Sequence, residues 1–346
     1  MKRIAFFDAK PYDRESFDRV NSQYEIHYYE DKLNPETARL AAGFDAACAF
    51  VNDDIGTQTV RILIDEGVGV LAMRCAGYSN VDFQTAEGRL TVVRVPAYSP
   101  HAVAEHAMGM LLTVNRRLHK AYIRTREFNF NISGLTGVDL HGKTAGVIGT
   151  GKIGRAFIDL CRGFGMRVIA HDPYPVEGID YVPLEVLLAQ SDVISLHCPL
   201  TNQSYHLLDE TAFERMKRGV FLINTSRGAL IDSTALLKAL NDGTVRGAGL
   251  DVYEEETEYF YEDRSIEPIR DDVLSLLVSK PNVLITSHQA FLTEEALANI
   301  AETTLRNLDE YFSGQELTNE VRYHRETGKV VEDPRRLRRD PQPVNA

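Results

Sequence analysis

Short runs of β-branched and aromatic residues alternate with helical periodicity along the whole 346-residue chain. Towards the N-terminus, apolar runs at residues 3–7, 25–29, 46–51, 70–74 and 92–95 predict strands, and patterns such as 59–66 predict helices between them. This alternation predicts βαβ units feeding a parallel sheet, because parallel neighbours need a crossover long enough to hold a helix. Pro96 and Pro100 then interrupt, and one long helical pattern spans residues 102–126. A second series follows, with strands predicted at 145–148, 167–171, 193–197, 220–224, 248–252 and 283–286 and helices at 153–164, 211–217 and 233–241. Six strands suffice for a complete doubly wound domain. The final helical pattern, residues 293–312, precedes no independent set of elements. The economical arrangement returns it to the N-terminal lobe. An outer discontinuous domain, residues 1–100 plus 293–322, then carries an inserted dinucleotide-type domain, residues 101–292.

Residues 323–346 are polar, proline-punctuated and without apolar periodicity, so a solvated, disordered tail is expected there. Hydrophobic residues at 44% provide core material for two domains, and a net charge of −12 argues against a nucleic-acid-binding body. No run approaches the ~18 apolar residues of a membrane span. The N-terminal stretch MKRIAFFDAKPYD reads as a first strand and lacks the long apolar region of a signal peptide. Cys48, Cys75, Cys161 and Cys198 are widely spaced and form no CxxC pair, so they read as buried thiols of a cytoplasmic protein.

The first localised chemistry lies at residues 145–154, AGVIGTGKIG, where Gly149, Gly151 and Gly154 fit GxGxxG. The pattern falls between a predicted strand and a predicted helix. In that context the first glycine allows the tight turn, the second lets a pyrophosphate approach the backbone, and the third lets helix and strand pack closely. The helix N-terminus adds free N–H groups for phosphate. The next strand, MRVIAHD, ends at Asp172, eighteen residues beyond Gly154. A carboxylate there can bind both ribose hydroxyls and repels a 2′-phosphate, which favours NAD over NADP.

In an open α/β sheet, ligands bind beyond the carboxyl ends of the strands. Those ends carry Thr225-Ser226-Arg227-Gly228 after 220–224, Asp251 and then Tyr253-Glu254-Glu255-Glu256 after 248–252, and Ser287-His288 after 283–286. His197-Cys198-Pro199 ends strand 193–197. Hydride transfer to the carbonyl of a 2-oxo acid needs such a set. Histidine can supply a proton near neutral pH. Arginine grips a carboxylate bidentately, and a carboxylate behind the imidazole fixes its tautomer. Spacing alone leaves His197 and His288 as rival proton donors, and any of the three glutamates as the histidine's partner. The acidic connection from Glu254 to Asp272 reads otherwise as a solvated loop. HAVAEH, residues 101–106, matches neither HExxH nor HxxEH, so it reads as a helix start and no metal site is expected.

The ordered set FVNDD (50–54), RCAGYSNVD (74–82), VRVPAYSPHAVAEHAMGM (93–110), GKTAGVIGTGKIG (142–154), NTSRGALID (224–232), GLDVYEEE (249–256) and HQAFLTEEAL (288–297) resembles the D-isomer-specific 2-hydroxyacid dehydrogenases. The likeness extends from Met1 to about Val321. It implies two doubly wound parallel-sheet α/β domains: a discontinuous flavodoxin-like substrate domain and an inserted Rossmann NAD-binding domain that closes over the substrate. It implies Arg227, Glu256 and His288 as catalytic residues. NAD would be bound by Gly149, Gly151, Lys152, Ile153 and Gly154 at the phosphates and by Asp172 at the ribose. Cys198 and Pro199 would flank the adenosine, Thr225 the nicotinamide ribose, and Asp251 the carboxamide. Backbone amides of Cys75, Ala76 and Gly77 would join Arg227 on the substrate carboxylate, with Tyr98 facing the same cleft and Phe291 limiting side-chain size. The implied reaction reduces pyruvate to D-lactate with NADH, in a homodimer or homotetramer whose contact segment begins near Ala102. Two alternatives are a dehydrogenase of larger 2-oxo acids and an NAD-sensing, corepressor-like binding protein.

Overall fold

Each series of apolar runs forms its own parallel sheet. The computed structural model describes residues 1–324 and 329–331, and the chain divides into one unit comprising Met1–Ser99 with the segment from Thr293, and a second comprising Pro100–Leu292.

In the first unit the strands are β1 (Lys2–Phe6), β2 (Tyr24–Tyr28), β3 (Ala46–Ala49), β4 (Val70–Met73) and β5 (Thr91–Arg94). They pair in parallel in the order 2-1-3-4-5, the flavodoxin-like arrangement. Every residue of β3 and β4 is buried, as expected of strands covered on both faces. One of the covering elements comes from the far end of the sequence. The helix Glu294–Phe312 packs against β4 and the helix Pro11–Val20. It begins at a capped threonine, with Thr293 Oγ1 accepting from Ala296 N at 3.2 Å and two glutamates in the first turn.

The expectation of a disordered tail from residue 323 needs correction. In the second sheet-forming unit the strands are β6 (Thr144–Ile148), β7 (Arg167–His171), β8 (Val193–Leu196), β9 (Val220–Asn224), β10 (Val245–Leu250) and β11 (Val283–Ile285), and two more follow in the first unit: β12 (Glu320–His324) and β13 (Lys329–Val331). β12 pairs antiparallel with β5, placing Val321 opposite Val92, and β13 pairs antiparallel with β12. Val321 is buried on the sheet, while its neighbours are charged or polar. A two-position apolar alternation inside so polar a segment is too short to stand out as periodicity. Residues 325–328 and 332–346 of the expected tail lie outside the described residues.

The six strands of the second unit are all parallel, in the order β11-β10-β9-β8-β6-β7. A single parallel bridge from Ala170 to Tyr181 adds a rudimentary strand outside β7, which gives the Rossmann order 3-2-1-4-5-6 with β11 as a seventh strand. The helix pattern expected over 102–126 is two helices, Pro100–Arg116 and Leu118–Arg126, broken where Arg117 takes φ 51°. Asn115 marks the break. Its Nδ2 donates to Val138 O at 2.8 Å and its Oδ1 accepts from Val138 N at 2.9 Å, tying the end of the first helix to the returning chain. The first helix packs on the helix Lys152–Gly163 and on β9 and β10, whereas the second buries none of its residues.

Candidate active site

Because the strands of the second unit are parallel, their carboxyl ends share one edge of the sheet, and the residues expected to carry chemistry follow those ends. At the end of β6, Gly149 takes φ +93°, and a Cβ there would lie 2.5 Å from the carbonyl oxygen of His197. A Cβ on Gly154 would lie 2.0 Å from Gly149 O. The loop therefore tolerates glycine alone at both positions. Gly151, the N-cap of the helix Lys152–Gly163, makes no side-chain cap, and a Cβ there would meet nothing within 4 Å. Lys152 is exposed and Ile153 half-buried on that first turn.

Asp172 follows β7 and lies beside this loop. Its Oδ2 accepts from Thr150 N at 2.6 Å and Thr150 Oγ1 at 2.9 Å, and its Oδ1 accepts from Tyr174 N at 2.8 Å. Thr150, the variable residue between the first two glycines, was not singled out by the motif, yet it holds the acid in place. His197, after β8, is a structural histidine. Its Nδ1 is enclosed without a hydrogen-bond partner, its Nε2 meets Ser195 Oγ at 2.9 Å, and burial pushes its pKa down to about 3. It stays neutral across the physiological range and is no proton donor. Cys198 is a partly exposed thiol pushed up to about 11 by burial, and Pro199 is exposed.

β9 runs into the Thr225–Gly228 turn, which Asn224 braces from within. Its Nδ2 donates to Arg227 O at 2.9 Å and its Oδ1 accepts from Ser226 N at 3.0 Å. Arg227 Nη1 donates to Ser226 O at 2.7 Å, and the guanidinium makes no ion pair among the described residues. Gly228 crosses directly over the turn that follows β10: a Cβ there would sit 2.0 Å from the carbonyl carbon of Tyr253. Tyr253 N in turn donates to Glu256 Oε2 at 2.9 Å, and Glu256 Oε1 lies 2.7 Å from His288 Nδ1. With both oxygens engaged, Glu256 holds the ring by Nδ1 and leaves Nε2 to exchange a proton. The other two glutamates are unsuited. Glu254 is held by His206 Nε2 at 2.5 Å and Ser233 Oγ at 3.0 Å, and Glu255 is exposed.

His288 itself has φ 49°, a left-handed conformation maintained from three sides. Its N donates to Asp251 O at 2.7 Å, and its carbonyl accepts from Tyr261 OH at 2.8 Å. The side chain of Asp251 does the rest: Oδ1 accepts from Thr286 Oγ1 at 2.5 Å and Gln289 N at 2.9 Å, and Oδ2 from Ala290 N at 2.9 Å. Asp251 is 0% exposed, and both its oxygens brace the turn that carries His288. His206, Tyr261 and Thr286 are supporting residues that sequence reasoning missed. Tyr261 lay within the acidic connection read as solvated, although the neighbouring Phe260 is buried.

In the first unit, the loop after β4 is arranged as an amide donor. Cys75 O accepts from Val95 N at 3.2 Å, Ala76 O from Arg94 Nη1 at 2.5 Å, and Gly77 O from Cys75 Sγ at 3.2 Å. All three carbonyls are engaged, while the N–H groups of Ala76 and Gly77 have no partner among the described residues. Tyr98 is half-buried, its carbonyl accepting from Asn299 Nδ2 at 2.7 Å, and Phe291, in the second unit, is buried. Among the described residues, no group of three or more His, Cys, Asp and Glu side chains is placed to hold a metal ion.

Residues 108–290 match the family described as D-isomer specific 2-hydroxyacid dehydrogenase, NAD binding domain. The chain is a D-isomer-specific 2-hydroxyacid dehydrogenase. This dehydrogenase is 51% identical over 327 residues to the D-lactate dehydrogenase of Escherichia coli K12, covering 92% of the present chain and 99% of that relative. The apo-structure of D-lactate dehydrogenase from Escherichia coli matches with a TM-score of 0.85 at 49% identity, over 92% of this chain and 99% of that one. A Chlamydomonas reinhardtii structure described as its pyruvate reductase matches with a TM-score of 0.87 at 41% identity, over 92% and 98% of the two chains. The expected family, the two-domain α/β fold and NAD as cofactor are thereby established for the dehydrogenase. Its residues fit that cofactor. A side chain at Gly151 would intrude only on the space before a helix N-terminus, and Thr225 Oγ1 at the end of β9 is buried without a partner. No helix among the described residues is long and apolar enough to cross a membrane.

Proposed function

We propose that this dehydrogenase reduces pyruvate to D-lactate, reversibly. The observation that carries the reading is the Glu256–His288 pair at 2.7 Å, which belongs to the same set of strand ends as Arg227, an arginine with no ion pair among the described residues. Bound NADH supplies the hydride. Arg227 grips the substrate carboxylate, and the family resemblance assigns the backbone amides of Cys75, Ala76 and Gly77 to carboxylate binding. Charge developing on the carbonyl oxygen is met by a proton from His288 Nε2. Glu256 keeps the ring in the one tautomer and orientation that allows this. In lactate oxidation the neutral Nε2 takes the hydroxyl proton back.

The remaining assignments follow the family resemblance. Gly149, Gly151, Lys152, Ile153 and Gly154 take the phosphates, Asp172 the adenosine ribose, Cys198 and Pro199 the adenosine side, and Thr225 the nicotinamide ribose. Tyr98 and Phe291 border the substrate, and the bulk of Phe291 favours a methyl-sized side chain. The names of the Escherichia coli and Chlamydomonas reinhardtii relatives support pyruvate as the substrate.

The discriminating experiment is NADH oxidation with pyruvate, 2-oxoisocaproate, glyoxylate and hydroxypyruvate, compared by kcat/KM. Pyruvate is expected to lead. A clear lead by a bulkier acid would move the assignment to a broader dehydrogenase, and no turnover with any of them would favour an NAD-binding module. Replacement of Asp172 by alanine is expected to lower the NADH-over-NADPH ratio of kcat/KM by about tenfold or more, because the carboxylate that repels a 2′-phosphate is lost. An unchanged ratio removes Asp172 from the ribose.

A homo-oligomer is also proposed. The helix Leu118–Arg126 leaves Leu118, Tyr122 and Ile123 exposed, and the following loop exposes Phe128, Phe130 and Ile132 at 84, 73 and 81%. Contiguous apolar surface of this kind on one segment suits a subunit contact. The four free cysteines support a cytoplasmic location.

A further inference from the structure

We infer that Arg94 is a positioning residue for substrate binding: by holding the carbonyl of Ala76, it aims the Gly77 N–H at the substrate carboxylate. The inference rests on the proposal that the amides of the 75–77 loop receive that group.

The argument begins with the peptide unit. In a trans peptide the C=O and N–H point to opposite sides of the chain, so fixing one fixes the other. Ala76 O and Gly77 N belong to the same peptide. Arg94 Nη1 lies 2.5 Å from that oxygen, a charge-assisted contact and thus among the stronger kinds of hydrogen bond. Glycine accepts both signs of φ, so without this contact the 76–77 peptide is free to rotate and withdraw its N–H. The neighbouring carbonyls of Cys75 and Gly77 are bonded independently of Arg94. Removing the arginine therefore releases the 76–77 peptide while the carbonyl bonds of its two neighbours remain.

Arg94 is itself held in place. It ends β5 in register with Met73, the last residue of β4, and so stands beside the loop that leaves β4. Its N donates to Asn319 O at 3.1 Å, and its O accepts from Asn307 Nδ2 at 2.8 Å. The guanidinium also lies over the ring of Tyr78, 5.0 Å from the centroid, which sets its direction. Asn307 and Asn319 come from the C-terminal segment. The returning helix and the approach to β12 thus reach the substrate loop through Arg94.

The test compares full-length Arg94→Met, Arg94→Gln and Arg94→Lys with the wild type. The readouts are kcat, KM for pyruvate, KM for NADH, and the dissociation constant of oxamate, an unreactive amide analogue of a 2-oxo acid, in the presence of NADH. Arg94→Met is expected to raise KM for pyruvate and Kd for oxamate together by about tenfold or more, with kcat within about threefold and KM for NADH unchanged. Lysine restores most of the affinity, and glutamine, which keeps a donor without the charge, restores part. An unchanged pyruvate KM in Arg94→Met overturns the inference. So does a parallel loss in kcat and both KM values, which marks a merely structural residue. Glutamine as poor as methionine beside a normal lysine variant shows that charge acts alone, and overturns the peptide-positioning role. If the methionine variant does not fold, the glutamine and lysine variants decide on the same terms. A wild-type protein that neither turns over pyruvate nor binds oxamate refutes the proposed function instead, before any variant is compared.

Discussion

Replacing His288 by alanine is expected to lower kcat for pyruvate reduction by about a hundredfold to ten-thousandfold, the range of a general acid, while leaving NADH affinity near wild type. The split follows from the geometry. The backbone of residue 288 is fixed by Asp251 O and Tyr261 OH through its N–H and its carbonyl, bonds that do not involve the imidazole nitrogens. Alanine removes the proton donor, although it must still adopt φ 49°. That conformation is unfavourable for any residue with a Cβ, so stability changes less than turnover. Stopped-flow and steady-state rates with a direct NADH titration separate the two, and near-wild-type turnover would remove His288 from the acid–base role. Asparagine at 288 is the useful control, since it accepts the left-handed backbone without supplying a titrating nitrogen.

Arg227→Ala is expected to reduce kcat/KM for pyruvate by about 3 to 5 kcal/mol, two to nearly four orders of magnitude, with KM raised and kcat lowered. The ties from Asn224 that shape the turn reach the Arg227 carbonyl and the Ser226 N–H, and the guanidinium adds one bond of its own, to Ser226 O. Alanine therefore empties the site of its cation with little disturbance of the backbone. Lysine should recover only a small part, because one ammonium cannot form two parallel hydrogen bonds to a carboxylate. A lysine variant equal to wild type would show that simple charge suffices, and a normal pyruvate KM in Arg227→Ala would move the carboxylate elsewhere.

Much of this architecture was legible in the chain because buried parallel strands are nearly continuous apolar runs with helices between them. The runs at 145–148, 193–197 and 220–224 are cases in point, all close to their observed strands. β12 was not legible, since its stability comes from pairing with β5 rather than from its own composition. Nor was the break at Arg117, which depends on Asn115 reaching a residue far along the chain. At the site, strand-end position brought Arg227 and His288 forward but could not choose between His288 and His197 or among three glutamates. The family resemblance made those choices, and geometry supplies their physical reasons: burial neutralises His197, and His206 with Ser233 occupies Glu254. Asp251 shows the opposite limit. An aspartate after a strand looks the same in sequence whether or not its oxygens hold the backbone amides of a neighbouring strand's turn, as those of Asp251 hold Gln289 and Ala290.

The return of the helix Glu294–Phe312 to the N-terminal sheet has a consequence for the order in which the protein is made. Residues 100–292 form a continuous segment and have all six of their strands as soon as β11 has emerged from the ribosome. β4 and the helix Pro11–Val20 leave the ribosome much earlier, yet the helix that covers them is encoded more than two hundred residues later. At roughly 5–20 residues per second, that interval lasts about 10 to 40 s. Throughout it the first unit has an uncovered apolar face, so the second unit completes its core first. The nascent N-terminal segment is then the part of this enzyme most dependent on chaperones.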